Sequence, residues 1–305
     1  MSEQQAELKT YRGNCHCAAF VYEITLPEIL SASECNCSIC YKKAALWVFP
    51  KPTDVKFVKG DMSALTDYTF NKKQFSHKAR PSAFIFCPMC GVSLLVVGHL
   101  TPPKAGEDKL PENGFNVRTL QHGQVDVWKL DTKAFDGSAL PPTYEIPDYK
   151  GPQPTGDVEG GQLYTGSCHC GAVTVALKSK PLDKDLQGLV ECNCSSCAKY
   201  GTTWTYPPHE QIVIEGKENL GEYYFGKKLA GKMFCKICGV PIYSQAVQAT
   251  DEQVAQMDQA TRKWYEGAKL VKAFNLRVIN GLNVNNLAAN HFDGYNYIQP
   301  KYVEP

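Results

Sequence analysis

The sequence predicts a mainly β fold, built as two tandem domains with few short helices. Three observations lead to this prediction. One cysteine pattern occurs twice along the 305 residues. Short stretches of alternating polarity, bounded by turn-forming residues, follow each copy of the pattern and are typical of β-strands. A segment rich in proline and glycine separates the two copies.

The cysteine motifs define the two repeats. The first repeat has C-H-C at 15–17, C-N-C-S-x-C at 35–40 and F-C-x-x-C-G at 86–91. The second repeat has the same motifs in the same order at 168–170, 192–197 and 234–239. The distances between motifs change by only a few residues, which indicates loop-length changes inside a duplicated fold.

The composition between the repeats sets the predicted domain bounds. We predict a first domain at 8–137, a linker at 138–161 and a second domain at 162–300. The linker segment contains five prolines and four glycines, a composition that favours an extended chain without a core of its own.

Strands are predicted wherever a short alternating or β-rich stretch lies between turn residues. These stretches are 20–25, 45–49, 54–59, 65–70, 83–86 and 94–97 in the first repeat, and 173–177, 211–215 and 222–225 in the second. One helix of about 14 residues is predicted after Thr250, with Gln253 at the capping-box position and helical spacing from Val254 to Trp264. The corresponding segment of the first repeat, 101–113, is predicted to be a loop.

Charge and hydropathy exclude several classes of protein. The net charge is +1, with 32 basic and 31 acidic side chains, so nucleic-acid or anionic-membrane binding is not predicted. The N-terminal residues do not resemble a secretory signal, and the longest apolar stretch, 83–97, is shorter than the roughly 20 residues of a bilayer span. We expect a cytoplasmic protein, with a nuclear location as the alternative. In a reducing compartment its cysteines are thiols or metal ligands.

All fourteen cysteines lie in the repeated motifs, seven in each repeat, and an odd number argues against a closed set of disulfides. The C-x-C and C-x-x-C motifs of one repeat can together form a tetrahedral four-thiolate zinc site, with a glycine after the last ligand. The predicted structural sites are Cys15, Cys17, Cys87 and Cys90 in the first domain, and Cys168, Cys170, Cys235 and Cys238 in the second.

Three cysteines remain in each repeat: Cys35, Cys37 and Cys40, and then Cys192, Cys194 and Cys197. Such a group can bind a second zinc and leave one position for water or substrate. The alternatives are a structural zinc closed by a histidine or carboxylate, and redox-active cysteines without metal. His16 and His169 match between the repeats but lie between structural ligands, and Glu34 and Glu191 directly precede the first cysteine of each group. We therefore favour the open zinc site.

The motif order resembles the glutathione-dependent formaldehyde-activating enzyme family, also called the Gfa or centromere-protein-V type, and the resemblance covers both repeats. It implies a Mss4-like fold of antiparallel sheets joined by zinc, with up to four Zn²⁺ per chain, two per domain. It also implies a carbon–sulfur lyase that condenses formaldehyde with glutathione to S-hydroxymethylglutathione, or the reverse. The partner would then be a small thiol such as glutathione with its aldehyde adduct. By position, the three-cysteine groups would hold the catalytic zinc and the four-cysteine groups the structural one.

The resemblance leaves a second hypothesis open. Centromere-protein-V relatives are associated with chromatin, so the chain could be a non-catalytic zinc scaffold or a chromatin-associated module with only structural zincs. The absence of a dense lysine and arginine run argues against direct DNA binding.

Two further pairs of matching positions bear on the structure. Ala18 stands where the second repeat has Gly171, which changes the backbone freedom beside a ligand. Arg118 and Arg277 correspond to each other, and we expect a surface or strand-pairing role for both. Contact with a carboxylate of a glutathione-like substrate is the alternative.

Overall fold

A computed structural model describes residues 7–69, 83–97, 113–141 and 143–305. It confirms the mainly β fold with two tandem domains and few short helices. The chain divides into two compact units, the first mainly of residues up to 144 and the second mainly of 145–302. This division falls inside the predicted linker, and the bounds 8–137 and 162–300 remain a prediction. No helix in the described ranges is long and apolar enough to cross a membrane.

The first unit contains a three-stranded and a seven-stranded sheet in its described part, with one short helix. The smaller sheet has the order β1-β2-β5, and the larger has the order β10-β3-β4-β9-β8-β7-β6. Strands β3 and β10 pair in parallel, and their neighbours pair antiparallel. The elements are β1 (Leu8–Asn14), β2 (Val21–Pro27), β3 (Ser31–Cys35), α1 (Ser38–Lys42), β4 (Leu46–Val48), β5 (Val55–Lys59), β6 (Thr66–Tyr68), β7 (Ala83–Phe86), β8 (Ser93–Val97), β9 (Gly114–Asn116) and β10 (Asp131–Phe135).

The second unit repeats this topology. Its smaller sheet has the order β11-β12-β15, and its larger sheet has the order β20-β13-β14-β19-β18-β17-β16, with β13 and β20 parallel. The elements are β11 (Gln162–Ser167), β12 (Thr174–Ser179), β13 (Val190–Cys192), α2 (Ser195–Tyr200), β14 (Thr203–Thr205), β15 (Ile212–Glu215), β16 (Leu220–Tyr224), β17 (Ala230–Cys235), β18 (Pro241–Ala246), α3 (Asp251–Ala255), α4 (Gln259–Ala268), β19 (Ala273–Asn275), β20 (Asn290–Phe292) and α5 (Gly294–Tyr297).

The predicted strands correspond to strands of the structure, with shifts of one or two residues at most ends. The stretch 114–120 forms a strand only as far as Asn116. The Asn116 side chain accepts a hydrogen bond from the backbone N–H of Arg118 and starts a 3₁₀ turn over Val117–Thr119. Residue 70 and nearly all of the predicted loop 101–113 lie outside the described residues.

The prediction of one helix after Thr250 is wrong, because the segment forms two helices. The capping box is present as expected, with Thr250 and Gln253 bonding each other's backbone N–H. The first helix, α3, ends at Ala255. Asp258 then takes an extended conformation, and its side chain accepts from the N–H of Thr261 at 2.8 Å, which caps the start of α4.

A glycine at the end of the first strand lets the smaller sheet approach the 3₁₀ turn of the larger sheet in each unit. Gly13 forms an isolated bridge with Leu120, and Gly166 forms the corresponding bridge with Ile279. A Cβ at Gly13 would overlap the ring of Tyr22, and one at Gly166 would overlap the carbonyl of Val278. Since each glycine lies two residues before the C-x-C motif, this close approach fixes where that motif sits.

Candidate metal centres

Each C-x-C motif meets the C-x-x-C motif of its own repeat. In the first unit the motifs occupy the turn after β1 and the turn between β7 and β8. The four Sγ atoms lie within 4.8 Å of one another, with 3.5 Å between Cys15 and Cys17 and 3.6 Å between Cys17 and Cys87. Ligands about 2.3 Å from a tetrahedral zinc lie about 3.8 Å apart, so the four sulfurs fit this ion.

The second unit has the same arrangement. Sγ distances are 3.5 Å between Cys168 and Cys170 and 3.6 Å between Cys170 and Cys235, and Cys238 completes the group. The backbone N–H of Val173 donates to Cys168 Sγ at 3.2 Å, and Phe20 N–H donates to Cys15 Sγ at 3.3 Å in the first unit. Such donors stabilise a thiolate, the form that binds metal. His16 and His169 are buried and lie outside these groups.

The three-cysteine groups form where a strand enters a short helix. Cys35 ends β3, Cys37 is the N-cap of α1, and Cys40 lies within α1. Helical spacing brings Cys37 and Cys40 to one face, and the three Sγ atoms lie within 4.8 Å of one another. Cys192, Cys194 and Cys197 hold the same positions on β13 and α2. Within the described part of the chain both groups have three members, so the structure leaves each with one ligand fewer than a closed tetrahedral site.

Glu191, the carboxylate that directly precedes the second group, has other partners. Its Oε1 accepts from the Thr203 hydroxyl at 2.8 Å and lies 3.9 Å from an Arg277 guanidinium nitrogen. Its Oε2 lies 3.8 Å from His291 Nε2. These contacts hold the carboxylate away from the three sulfurs.

An asparagine within each three-cysteine motif and a glycine from a later segment hold the cysteine loop in place. The Asn36 side chain donates to Asp136 Oδ1 at 2.8 Å and accepts from the N–H of Ser138 at 2.8 Å. These bonds hold the segment after β10 against the cysteine loop, and a Cβ on Gly137 would overlap Cys35 Sγ. In the second unit Asn193 bonds Asp293 and Tyr295 in the same way, and Gly294 lies against Cys192.

A buried tryptophan donates to the last sulfur of each group. Trp47 Nε1 lies 3.3 Å from Cys40 Sγ, and Trp204 Nε1 lies 3.3 Å from Cys197 Sγ. Both tryptophans are buried, so a donor that lacked this partner would be destabilising. The indoles thus fix the sulfurs in place and favour their thiolate form.

Proton sharing within the groups shifts the thiol pKa values. In the first unit the thiols of Cys37 and Cys40 lower the pKa of Cys35 to about 3, and the interaction with Cys35 raises the pKa of Cys37 to about 12. In the second unit the Cys192 and Cys194 thiols hold the pKa of Cys197 well below its ordinary value, and Lys232 and Trp204 lower it further. The three sulfurs of each group therefore hold their protons unequally.

Two polar side chains lie beside the second group. Lys232 Nζ is 3.5 Å from Cys197 Sγ and 4.6 Å from the centroid of the Trp204 ring. Burial acts to lower the pKa of Lys232, but the charge of Cys197 and Cys194 raises it above its ordinary value. Burial and the charges of the three sulfurs raise the pKa of Tyr206, whose side chain is 43% exposed.

The expected surface or strand-pairing role of Arg118 and Arg277 is wrong. Arg118 Nε donates to the carbonyl of Ala44 at 2.7 Å, and Arg277 Nε donates to the carbonyl of Gly201 at 3.0 Å. Ala44 and Gly201 have positive φ and follow the helix that bears the third cysteine. Arg277 is only 6% exposed. Each arginine therefore holds the turn that ends the cysteine-bearing helix.

The structure brings together every cysteine set that the sequence predicts, and it adds residues that the sequence reasoning missed. The asparagine, tryptophan and glycine contacts have a signal in the repeats, because Asn36, Trp47 and Gly137 have identical counterparts. Lys232 has no such signal, because it differs from its counterpart in the first repeat. The four groups could hold metal ions.

Comparison with known proteins assigns the chain to a family. The sequence profile described as glutathione-dependent formaldehyde-activating enzyme matches residues 10–106 and again residues 163–269. A crystal structure of a Rhodobacter sphaeroides protein, from Northeast Structural Genomics, is 23% identical, covering 42% of this chain and 98% of that chain, with a TM-score of 0.31. The two profile matches span more than half of the chain, one on each cysteine repeat. The chain therefore belongs to the glutathione-dependent formaldehyde-activating enzyme family, with the family unit present twice.

Proposed function

We propose that the chain is a zinc-dependent carbon–sulfur lyase that acts on glutathione-type adducts of formaldehyde or another small aldehyde. The observation that supports this most is the three-membered cysteine group, present in each unit. Cys35, Cys37 and Cys40, and likewise Cys192, Cys194 and Cys197, would hold one zinc per unit, while the four-cysteine groups would hold a structural zinc. A zinc with one exchangeable position supplies Lewis-acid chemistry towards a thiol or an aldehyde oxygen.

The reaction joins a thiol to formaldehyde. A carbon–sulfur bond forms, the carbonyl π bond becomes a C–O single bond, and the thiol proton ends on the new hydroxyl. The chain's own residues would hold the cysteine sulfurs in the positions that this step needs. The tryptophans keep Cys40 and Cys197 fixed, and Gly137 and Gly294 leave the room that Cys35 and Cys192 occupy. Tyr206, a partly exposed residue whose pKa responds to the charges of the three sulfurs, has a hydroxyl that can donate to a bound oxygen or sulfur.

The test combines metal content with direct observation of the adduct. Purified protein should contain close to four zinc ions per chain, and Cys37→Ser with Cys194→Ser should reduce this towards two. The formation of S-hydroxymethylglutathione from ¹³C-formaldehyde and glutathione, followed by NMR, should be faster with the protein than with buffer. The double variant should lose the acceleration. Equal rates with the protein and with buffer would contradict the proposal, whatever the zinc content.

A further inference from the structure

The two three-cysteine groups differ at one strand position that faces the tryptophan. On β17 this position is Lys232, which pairs with Tyr223 on one side and Ser244 on the other. On β7 the corresponding position is Phe84, which pairs with Tyr68 and Val96. The two residues also stand at the same distance along the chain before the C-x-x-C motif. The register therefore identifies Lys232 and Phe84 as equivalent positions.

The side chains at these two equivalent positions both lie against the tryptophan of their own unit, but one is charged and the other is apolar. The Lys232 ammonium lies 3.5 Å from Cys197 Sγ and 4.6 Å above the Trp204 ring. The Phe84 ring instead packs against Trp47, with 6.3 Å between ring centroids. Among the residues that the structure describes, no lysine or arginine nitrogen is hydrogen-bonded to Cys35, Cys37 or Cys40. At this strand position, therefore, the cation of the second group is replaced by an aromatic ring in the first.

A second position shows the same difference. Tyr206 follows β14 by one residue, as Phe49 follows β4. The strands pair equivalently, Trp204 with Asn275 and Trp47 with Asn116. Tyr206, a partly exposed tyrosine near the second group, therefore corresponds to a phenylalanine, which has no polar side-chain atom, in the first.

These differences change how each group would accept a further anion. Three thiolates around a divalent metal carry one net negative charge, and an incoming thiolate adds another. An adjacent ammonium in a partly desolvated site offsets this charge, whereas an aromatic ring does not.

We propose that the group of Cys192, Cys194 and Cys197 is the thiol-binding site of the chain, with Lys232 as its positioning residue. The group of Cys35, Cys37 and Cys40 would hold metal and bind thiol more weakly. The inference rests on the proposed function for its substrate class.

Cobalt replacement lets each group be observed separately. In the full chain, Cys37→Ser leaves the second three-cysteine group, and Cys194→Ser leaves the first. Each cobalt-loaded variant is titrated with glutathione and, in parallel, with thiocyanate, while the visible cobalt absorption is recorded. We expect both anions to bind the Cys37→Ser variant at least about tenfold more tightly than the Cys194→Ser variant, as charge compensation predicts. Equal affinities in the two variants would overturn the proposal.

Substitution of the lysine tests its role in the Cys37→Ser background. Lys232→Met should weaken thiocyanate and glutathione binding by about tenfold or more, and Lys232→Arg should restore most of the affinity. Lys269→Met is the matched control, because Lys269 lies 5.1 Å over the Tyr265 ring, on a helix surface, without a sulfur contact. If Lys232→Met does not hold cobalt, the comparison of the two single-group variants still decides the question, since it leaves Lys232 in place.

The two probes separate this inference from the proposed function. If thiocyanate distinguishes the two groups but the protein does not accelerate adduct formation, the lyase assignment fails and the site asymmetry stands. If the adduct forms and both groups bind thiocyanate and glutathione with equal affinity, the asymmetry fails and the lyase assignment stands.

Discussion

Trp204 Nε1 donates a hydrogen bond to Cys197 Sγ at 3.3 Å, and both residues are buried in one small apolar cluster. The tryptophan lies on β14 and the cysteine on α2, so the bond connects the strand to the helix that bears the third sulfur. Trp47 and Cys40 repeat the bond at the same distance in the first unit. A donor of this kind sets both the position and the charge of a metal ligand.

Removal of the indole donor should weaken metal binding at one group only. Trp204→Phe keeps most of the apolar volume but loses the N–H, and outer-shell contacts of this kind commonly change metal affinity by roughly tenfold to a hundredfold. We expect zinc affinity at Cys192, Cys194 and Cys197 to fall by about tenfold, measured by chelator competition. Trp47→Phe should act in the same way on the first unit. Trp264→Phe, on the exposed side of α4, is the control and should have no effect.

The glycine that touches the first cysteine of each group should not accept a side chain. Gly294→Ala would place a Cβ on Cys192 Sγ, and such overpacking typically costs about 1–3 kcal/mol. We expect the zinc content to fall by one ion per chain while the four-cysteine groups stay loaded. Gly267→Ala is the matched control, because it lies on α4 with open space around it. A full zinc complement in Gly294→Ala would show that the loop can move aside.

The cysteine groups could be predicted from the sequence because their spacing is local chemistry that occurs twice. C-x-C and C-x-x-C motifs bring sulfurs together within one turn. The seven cysteines of each repeat then divide into a four-thiolate site and a group of three. The strands β3 and β10 could not be predicted in this way. Their short segments, Ser31–Cys35 and Asp131–Phe135, are stabilised by a parallel pairing between distant parts of the chain.

The break between α3 and α4 and the position of Lys232 could not be predicted from the sequence, for different reasons. Asp258 breaks the predicted helix because its carboxylate bonds the N–H of Thr261 more locally than a continuous helix would allow. Lys232 was overlooked because a single strand lysine has no pattern of its own. Only the register of β17 against its neighbours places that side chain beside Trp204 and Cys197.

The arginine clamp of the second unit should contribute to folding stability. Arg277→Met would leave the Gly201 carbonyl without its charged donor and remove the positive charge beside Glu191. Hydrogen bonds to charged groups contribute about 1.5–3 kcal/mol, so the free energy of unfolding should fall by about 2 kcal/mol in urea. Arg277→Lys should not restore it, because lysine has no equivalent of Nε. Lys263→Met, at an exposed position of α4, should change stability by much less.

Ala18 and Gly171 occupy equivalent turns beside the structural ligands. Exchanging alanine and glycine at these positions should change the free energy of unfolding in opposite directions in the two units. Ala18 has φ 58° and Gly171 has φ 78°, a region in which a Cβ is unfavourable. Ala18→Gly should therefore raise the free energy of unfolding by about 0.5–1 kcal/mol. Gly171→Ala should lower it by more, because its Cβ would also meet Pro147 at 3.0 Å.

The control for this pair is an alanine in ordinary helical conformation. Ala260→Gly, in the first turn of α4, should lower the free energy of unfolding by up to about 1 kcal/mol, because glycine is a poorer helix former than alanine. Urea unfolding of zinc-loaded protein measures all three variants. If Ala18→Gly were destabilising like Ala260→Gly, the positive φ at Ala18 would not be a source of strain. The two repeats would then tolerate either residue beside the ligands, and the difference between Ala18 and Gly171 would carry no cost in stability.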